Sequence, residues 1–232
     1  MMARSSATMF LLIVSLSSLH LIDAQTPIPP KYDGFPYKAV RGGLLSDSII
    51  VEAFFDPVCP DSRDSWPPLK RVLKQFSHRI SLIVHPFPLP YHDNAFVSCR
   101  ALHIANKLNA STTYPLLEKF FKDQEKFYNK PTHNMSRASV VSHIAKFMSK
   151  VLGNSSLPDI ESGFEDTKTD QAARVSFKYG CSRGVTGTPY FFVNGFPLPG
   201  AGSPLDYNQW RSIIDPLLNH TETRKGPLHL LV

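Results

Sequence analysis

Ile49-Ile50-Val51-Glu52-Ala53-Phe54-Phe55-Asp56-Pro57-Val58-Cys59-Pro60-Asp61-Ser62 is the stretch that decides the fold. Its apolar, β-branched and aromatic run predicts a strand over Ser48 to Phe55, central in a sheet covered on both faces. The run stops at Asp56-Pro57, and Cys59 stands where a helix should begin. Pro60 occupies the first helical position, where a missing N–H costs nothing. Ser62 stands where a C-x-x-C motif would carry its second cysteine.

Outward from this stretch, a helix is expected from Pro60 to about Phe76, kinked or split at Pro67-Pro68 because each proline removes a backbone donor and crowds the preceding turn. A second buried strand, Ile80 to Val84, ends at His85-Pro86-Phe87-Pro88-Leu89-Pro90. Upstream, residues 25–36 with Pro27, Pro29, Pro30 and Pro36 read as an extended lead-in. Tyr37 to Val40 reads as a short first strand turned at Gly42-Gly43. Downstream, residues 94–179 have helical period throughout: Asn94 to Leu108, Thr113 to Phe127, Arg137 to Val151 between an N-cap at Ser136 and a terminator at Gly153, and Asp166 to Tyr179 ending at Gly180. Strand pattern then returns in Thr188 to Val193, runs into the hairpin signal Asn194-Gly195, and continues in Phe196 to Leu198. A last amphipathic helix, Leu205 to Ile214, is anchored by Trp210, Ile213 and Ile214. The fold class is α/β, spanning residues 37–218 with an inserted helical block and a tail at 219–232.

The 232 residues, 42% of them apolar, are enough for one core with an inserted subdomain. The net charge of +6 is spread along the chain. Its densest spots, Lys70, Arg71 and Lys74, then Lys119, Lys122 and Lys126, have helical spacing and read as solvated faces, so nucleic-acid binding is not expected. Residues 1–24 read as a signal peptide, with Arg4, an apolar Met9 to Leu16, and Ala24 before a cleavage point at Gln25. Ser15, Ser17, Ser18 and His20 interrupt the apolar stretch, which is shorter than the roughly 20 residues a membrane span needs. Asn109, Asn134, Asn154 and Asn219 are glycosylation acceptors, consistent with secretion, and the C-terminus carries no retention signal.

The three cysteines are Cys59, Cys99 and Cys181. In an oxidising compartment an odd count leaves one unpaired. Cys99 and Cys181 are expected to form a structural bridge, because Cys59 sits where chemistry would want it; the alternative has Cys99 resolving bonds made by Cys59. His85, His92 and His103 fit no metal-ligand spacing, and neither a metal nor a cofactor is implied. His92-Asp93 becomes a base and its orienting partner only if the loop after Val84 folds over the site. Phe54, Phe55, Phe191 and Phe192 read as sheet core.

The element order, with Cys59-Pro60-Asp61-Ser62 after a buried strand and Val185-Thr186-Gly187-Thr188-Pro189-Tyr190-Phe191-Phe192-Val193-Asn194-Gly195 before a hairpin, resembles the thioredoxin superfamily. More narrowly it resembles the DsbA branch, in which a helical subdomain is inserted into the thioredoxin fold. The resemblance implies a nucleophilic Cys59, its thiolate favoured by the unpaired donors and positive end of the helix. It also implies a cis bond between Thr188 and Pro189, with Pro189 against Cys59 and the Thr188 backbone open to an extended substrate strand. Pro60, Asp61 and Thr188 would then border the substrate.

Two departures qualify this. Ser62 cannot resolve a mixed disulfide, although its hydroxyl can donate to the Cys59 thiolate; Asp61 should repel that thiolate and Arg63 offset part of the repulsion. Ala53 stands where related proteins carry a buried acid, and Glu52, one residue away, faces the other side of the sheet. The expected function is monothiol thiol-disulfide exchange on client thiols or disulfides, with glutathione or another thiol completing turnover. The alternative is a non-catalytic module that binds extended peptides or tethers client thiols. A relation to kappa-type glutathione transferases is a third reading, set back because those proteins use serine where Cys59 stands.

Overall fold

A computed structural model describes residues 32–37, 48–200 and 202–223. The expected signal peptide, most of the lead-in, the Gly42-Gly43 turn and the end of the tail lie outside the described residues. No described helix is long and apolar enough to cross a membrane.

The strands are β1 (Phe35–Pro36), β2 (Ile49–Phe55), β3 (Ile80–Pro86), β4 (Tyr190–Val193) and β5 (Phe196–Pro197). They form one sheet in the order β1-β3-β2-β4-β5, with β2 and β3 parallel and the other pairings antiparallel. β2 is central, as its almost wholly apolar run, broken only by Glu52, predicts. Its period-two alternation splits the core. Val51, Ala53 and Phe55 enter the main cluster with Trp66, Phe191 and Trp210, while Phe54 joins a second cluster with Phe87, Val185, Phe192 and Cys59. Asn194 and Gly195 both adopt the left-handed backbone that a tight β4–β5 hairpin demands.

The first strand is Phe35–Pro36, a few residues earlier than Tyr37 to Val40, and it pairs with Val84 and Ile83 of β3. β3 runs on through His85-Pro86, because the Pro86 ring sits at the strand end, where the lost N–H removes little.

The helices are α1 (Pro60–Gln75), α2 (Ala95–Leu108), α3 (Thr113–Asp123), α4 (Asn129–Thr132), α5 (Arg137–Leu152), α6 (Leu157–Glu165), α7 (Thr167–Ser182) and α8 (Tyr207–Thr223). α1 is not split at Pro67-Pro68. The prolines lie on its outer side, one turn after the partly exposed Arg63 and exposed Asp64, while Trp66, Leu69, Val72 and Leu73 bury the inner side. Ser136 caps α5 by accepting from the Ser139 N–H at 3.1 Å, and Gly153 follows at positive φ. α4 and α6 were not expected. α7 runs past Gly180, which serves packing and not termination: a Cβ there would fall 2.5 Å from the Phe87 ring. α8 continues to Thr223 through Pro216, beyond the expected end of the fold at 218.

Candidate active site around Cys59

Asp56, at the end of β2, builds the turn that places Cys59. Its Oδ1 accepts from the Val58 N–H at 2.9 Å and its Oδ2 from the Leu89 N–H at 3.1 Å, while its carbonyl accepts from the Cys59 N–H at 3.0 Å. The Asp56-to-Val58 bond is an Asx turn, which explains why the strand stops there. Cys59 becomes the N-cap of α1 in extended conformation, and its carbonyl receives the first helical bond, from Arg63.

The helical insert braces the same turn. Gln124, fully buried just after α3, donates from Nε2 to the carbonyls of Pro57 and Cys59, each at 3.1 Å, and its Oε1 accepts from the Tyr128 hydroxyl at 2.8 Å. Nothing in the sequence around Gln124 marks this role.

The Cys59 side chain is 3% exposed, enclosed by Phe54, Phe87, Leu89, Val185 and Phe192. Its Sγ donates to the Thr188 carbonyl at 3.4 Å, across 129 residues of sequence. The Thr188–Pro189 peptide is cis, and both residues are buried. The Thr188 backbone is therefore not open on the side facing the sulfur. Its carbonyl already holds the thiol, and the Pro189 carbonyl accepts from the Gly202 N–H at 2.9 Å. Pro60 is half-buried and Asp61 exposed beside the sulfur's turn.

Ser62 is fully buried, and its Oγ accepts from the Asp56 N–H at 3.3 Å. In this arrangement the Ser62 hydroxyl braces the turn as an acceptor, and the thiol donates to Thr188. Arg63 does not offset Asp61, since its guanidinium is held by Asp64 at 2.8 Å, with Glu125 at 4.0 Å.

All three cysteines are free. The expected Cys99–Cys181 bridge is not formed, because Cys99 is sealed inside α2 while Cys181, near the end of α7, is exposed. Burial pushes the Cys99 thiol well up, with the nearby Asp56 adding to the effect, which makes it a poor resolving nucleophile for Cys59.

The loop after β3 does fold over the turn, but the partner of His92 is Asp56, at 2.8 Å from Nδ1 to Oδ2, and not Asp93. The Asp93 N–H is bonded to Asn129. His92 borders a cavity of about 280 Å³ together with Val58, Pro60, Phe127, Tyr128, Asn129 and Lys130, so the cavity adjoins the residues on both sides of Cys59. Among the described residues no cluster has the makeup of a metal site.

Ala53 is buried in apolar surroundings, and Glu52 lies on the opposite face of β2. There Glu52 accepts from the Tyr179 hydroxyl at 3.0 Å and pairs with Arg183 at 3.2 Å. His85 stands between two acids, its Nδ1 2.8 Å from Asp33 and its Nε2 3.4 Å from Glu52. Burial works against charge on His85, but the flanking carboxylates carry it above its ordinary value. Burial likewise opposes charge on Glu52, and His85, Tyr179 and Arg183 outweigh it, holding the carboxyl below its usual range. The His85–Asp33 arrangement continues through Ser176 to His103, which burial pushes down to about 4. The sequence gives no sign of this network, because its members are spread from Asp33 to Arg183.

Asn109, Asn134 and Asn154 are exposed, and the side chain of Asn219 lies outside the described residues.

The fold of the described residues recurs in solved structures of low sequence identity. A candidate protein-disulfide isomerase from Pseudomonas syringae has a TM-score of 0.61 at 18% identity, over 72% of this chain and 94% of that one. The thiol-disulfide exchange protein alpha-DsbA2 from Wolbachia pipientis has a TM-score of 0.57 at 18% identity, over 79% of this chain and 87% of that one. Oxidised BdbD from Bacillus subtilis has a TM-score of 0.57 at 13% identity, over 74% and 88%. No curated protein matches the sequence. The family model described as thioredoxin matches residues 39–216, most of the chain. With β2, the Cys59 turn and the Thr188–Pro189 bend arranged in a sheet that carries a helical insert, the chain belongs to the thioredoxin family and has a DsbA-like thioredoxin fold.

Proposed function

We propose that the protein performs thiol-disulfide exchange through one cysteine. The Cys59 thiolate attacks a client disulfide RS–SR′, forms Cys59–S–S–R and releases R′S⁻; an incoming thiol then attacks the mixed disulfide and regenerates Cys59. The observation that carries this reading is the position of Cys59, at the N-cap of α1 with its sulfur on the Thr188 carbonyl and a serine at the resolving position. A site with one sulfur suits disulfide isomerisation or capture of client thiols better than net oxidation. Client segments in extended conformation, and glutathione as the small thiol, are the substrates that fit this chemistry.

A secretory route belongs to the same reading. In its support stand the n-region and apolar run of residues 1–24 and the exposure of Asn109, Asn134 and Asn154.

The second reading, a peptide-binding module that does no redox chemistry, draws on the burial of the Cys59 side chain, 3% exposed. The deciding experiment uses a Cys181→Ser background, because Cys181 is exposed and would react on its own. Incubation with glutathione disulfide at pH 7 should give one adduct, mapped by mass spectrometry to Cys59 and absent in Cys59→Ser. No adduct at Cys59, together with alkylation at pH 6 no faster than that of free cysteine, overturns the catalytic reading in favour of the binding module.

A further inference from the structure

A monothiol site leaves one step without an obvious proton acceptor. The thiol that resolves the mixed disulfide comes from outside, and a thiol of ordinary acidity, pKa about 8.5, is only about 3% thiolate at pH 7. Ala53 supplies no buried acid beneath the sulfur's turn, and the Ser62 hydroxyl accepts from the Asp56 N–H. The structure offers another group beside the sulfur's turn.

His92 is fixed by one strong contact. Its Nδ1 lies 2.8 Å from Oδ2 of Asp56, whose other partners, the Val58 and Leu89 N–H groups, are donors. The carboxylate is therefore the acceptor and Nδ1 carries the hydrogen, which leaves Nε2 with a free lone pair when the ring is neutral. With Nδ1 turned inward to a fully buried carboxylate and the side chain 22% exposed, the Nε2 edge is the accessible one. The Tyr91 ring packs edge-on against the imidazole at 4.9 Å. The same imidazole borders the cavity of about 280 Å³ between Val58 and Pro60 on one side and Phe127 to Lys130 on the other. This is an oriented imidazole on the wall of a small cavity that also touches Val58 and Pro60, the residues on either side of the nucleophile.

We infer that His92, held by Asp56, is the proton acceptor for the incoming thiol, and that the cavity between Pro60 and Lys130 is where that thiol enters. This rests on the reading of Cys59 as the exchanging sulfur. The thiol R″S–H gives its proton to Nε2 as its sulfur attacks the R sulfur of Cys59–S–S–R. R″S–S–R forms, the Cys59–S bond breaks with the electron pair left on Cys59, and the proton on Nε2 passes to Cys59 or to water. Oxidation state is conserved overall, and no further reactant enters. The side chains on the cavity wall, apolar Val58, Pro60 and Phe127 with Lys130 at the rim, fit a small thiol bearing a carboxylate.

The test separates proton transfer from structure by varying the thiol. His92→Asn places an amide N–H near the position of Nδ1 and keeps the bond to Asp56, but has no base; His92→Gln is the second variant. The mixed disulfide of Cys59 with glutathione is prepared in each protein, all in the Cys181→Ser background, and verified by mass, so that failure at that stage counts against the reading of Cys59 itself. Resolution is then timed at pH 7 with glutathione and with 2-nitro-5-thiobenzoate, an aryl thiol already ionised at that pH. Because about 3% of the ordinary thiol is thiolate without help, a base can accelerate its attack by at most about 30-fold. Both variants should slow resolution by glutathione 10- to 30-fold and leave the aryl thiolate within twofold of the parent. Equal slowing with both thiols assigns His92 a structural role, and no slowing with either removes it from the reaction; each result overturns the inference.

Discussion

Replacing Asp56 by alanine tests the account of how Cys59 is placed. The substitution leaves the Val58 and Leu89 N–H groups without their acceptor, and both residues are buried. An orphaned buried donor costs about 1–3 kcal/mol, so two cost about 2–6 kcal/mol, with about 4 kcal/mol as the central figure. The His92 contact is left out of this sum because that side chain is partly exposed and can turn to solvent. For a chain of this size 1 kcal/mol moves Tm by about 2–4 °C, so Asp56→Ala should lower Tm by on the order of 12 °C. Thermal and urea unfolding followed by circular dichroism measure this, with His92→Asn as the control, expected to lose less than about 1 kcal/mol. A loss below about 1 kcal/mol for Asp56→Ala would refute the claim that this carboxylate organises the turn.

Two further outcomes follow from packing and from charge. Gly180→Ala should destabilise by about 1–3 kcal/mol in urea unfolding, because the new Cβ meets the Phe87 ring at 2.5 Å and Phe54 at 3.3 Å; a neutral effect would mean that this interface is loose. His103, pushed down to about 4, stays neutral in the folded protein while the unfolded chain protonates near 6.5. Stability should therefore be unaffected by this group above about pH 6.5 and fall as pH drops from there toward 4, by on the order of 3 kcal/mol in all. His103→Gln, which can still bond Ser176, should remove that part of the decline in urea midpoints measured from pH 7 to pH 4.5. Comparison with the parent removes the opposite contribution of His85, whose raised value adds stability on the acid side, and the contribution of Glu52, whose lowered value makes stability fall with pH as His103 does. Parallel curves for parent and variant would contradict the assignment.

The sheet and the reactive turn were legible because their signals are local. An almost wholly apolar run, a proline after a cysteine and Asn-Gly between two aromatic strands each reflect a backbone requirement met within a few residues. Element boundaries failed where packing overrode a local cue. Gly180 reads as a helix stop but is small because two phenylalanines approach it, and Pro67-Pro68 reads as a break but lies on the solvated side of α1. The choice of partner was the least legible part. Ser62 could have bonded the sulfur or the turn, and His92 could have paired with its neighbour Asp93 or with Asp56, 36 positions back. Those choices depend on where the loop after β3 comes to rest, which no window of sequence contains. The Asx-turn signal of Asp56 was present, in a strand ending at Asp-Pro, but it indicates a turn and not a histidine partner.

Gln124 bears on whether the helical insert is an accessory that could be trimmed away. Its amide supplies hydrogens to the carbonyls of Pro57 and Cys59, and its own oxygen is taken by Tyr128, so every bond it makes belongs either to the reactive turn or to the insert. A shortened chain joining β3 directly to β4 would keep all the strands with α1 and α8, yet would take the Gln124 amide away from the buried Pro57 carbonyl and leave the Cys59 carbonyl with its helical bond from Arg63 alone. The minimal reactive unit of this protein is therefore larger than its sheet, and grafting Cys59-Pro60-Asp61-Ser62 onto a bare thioredoxin scaffold would transfer the motif without the brace that positions it.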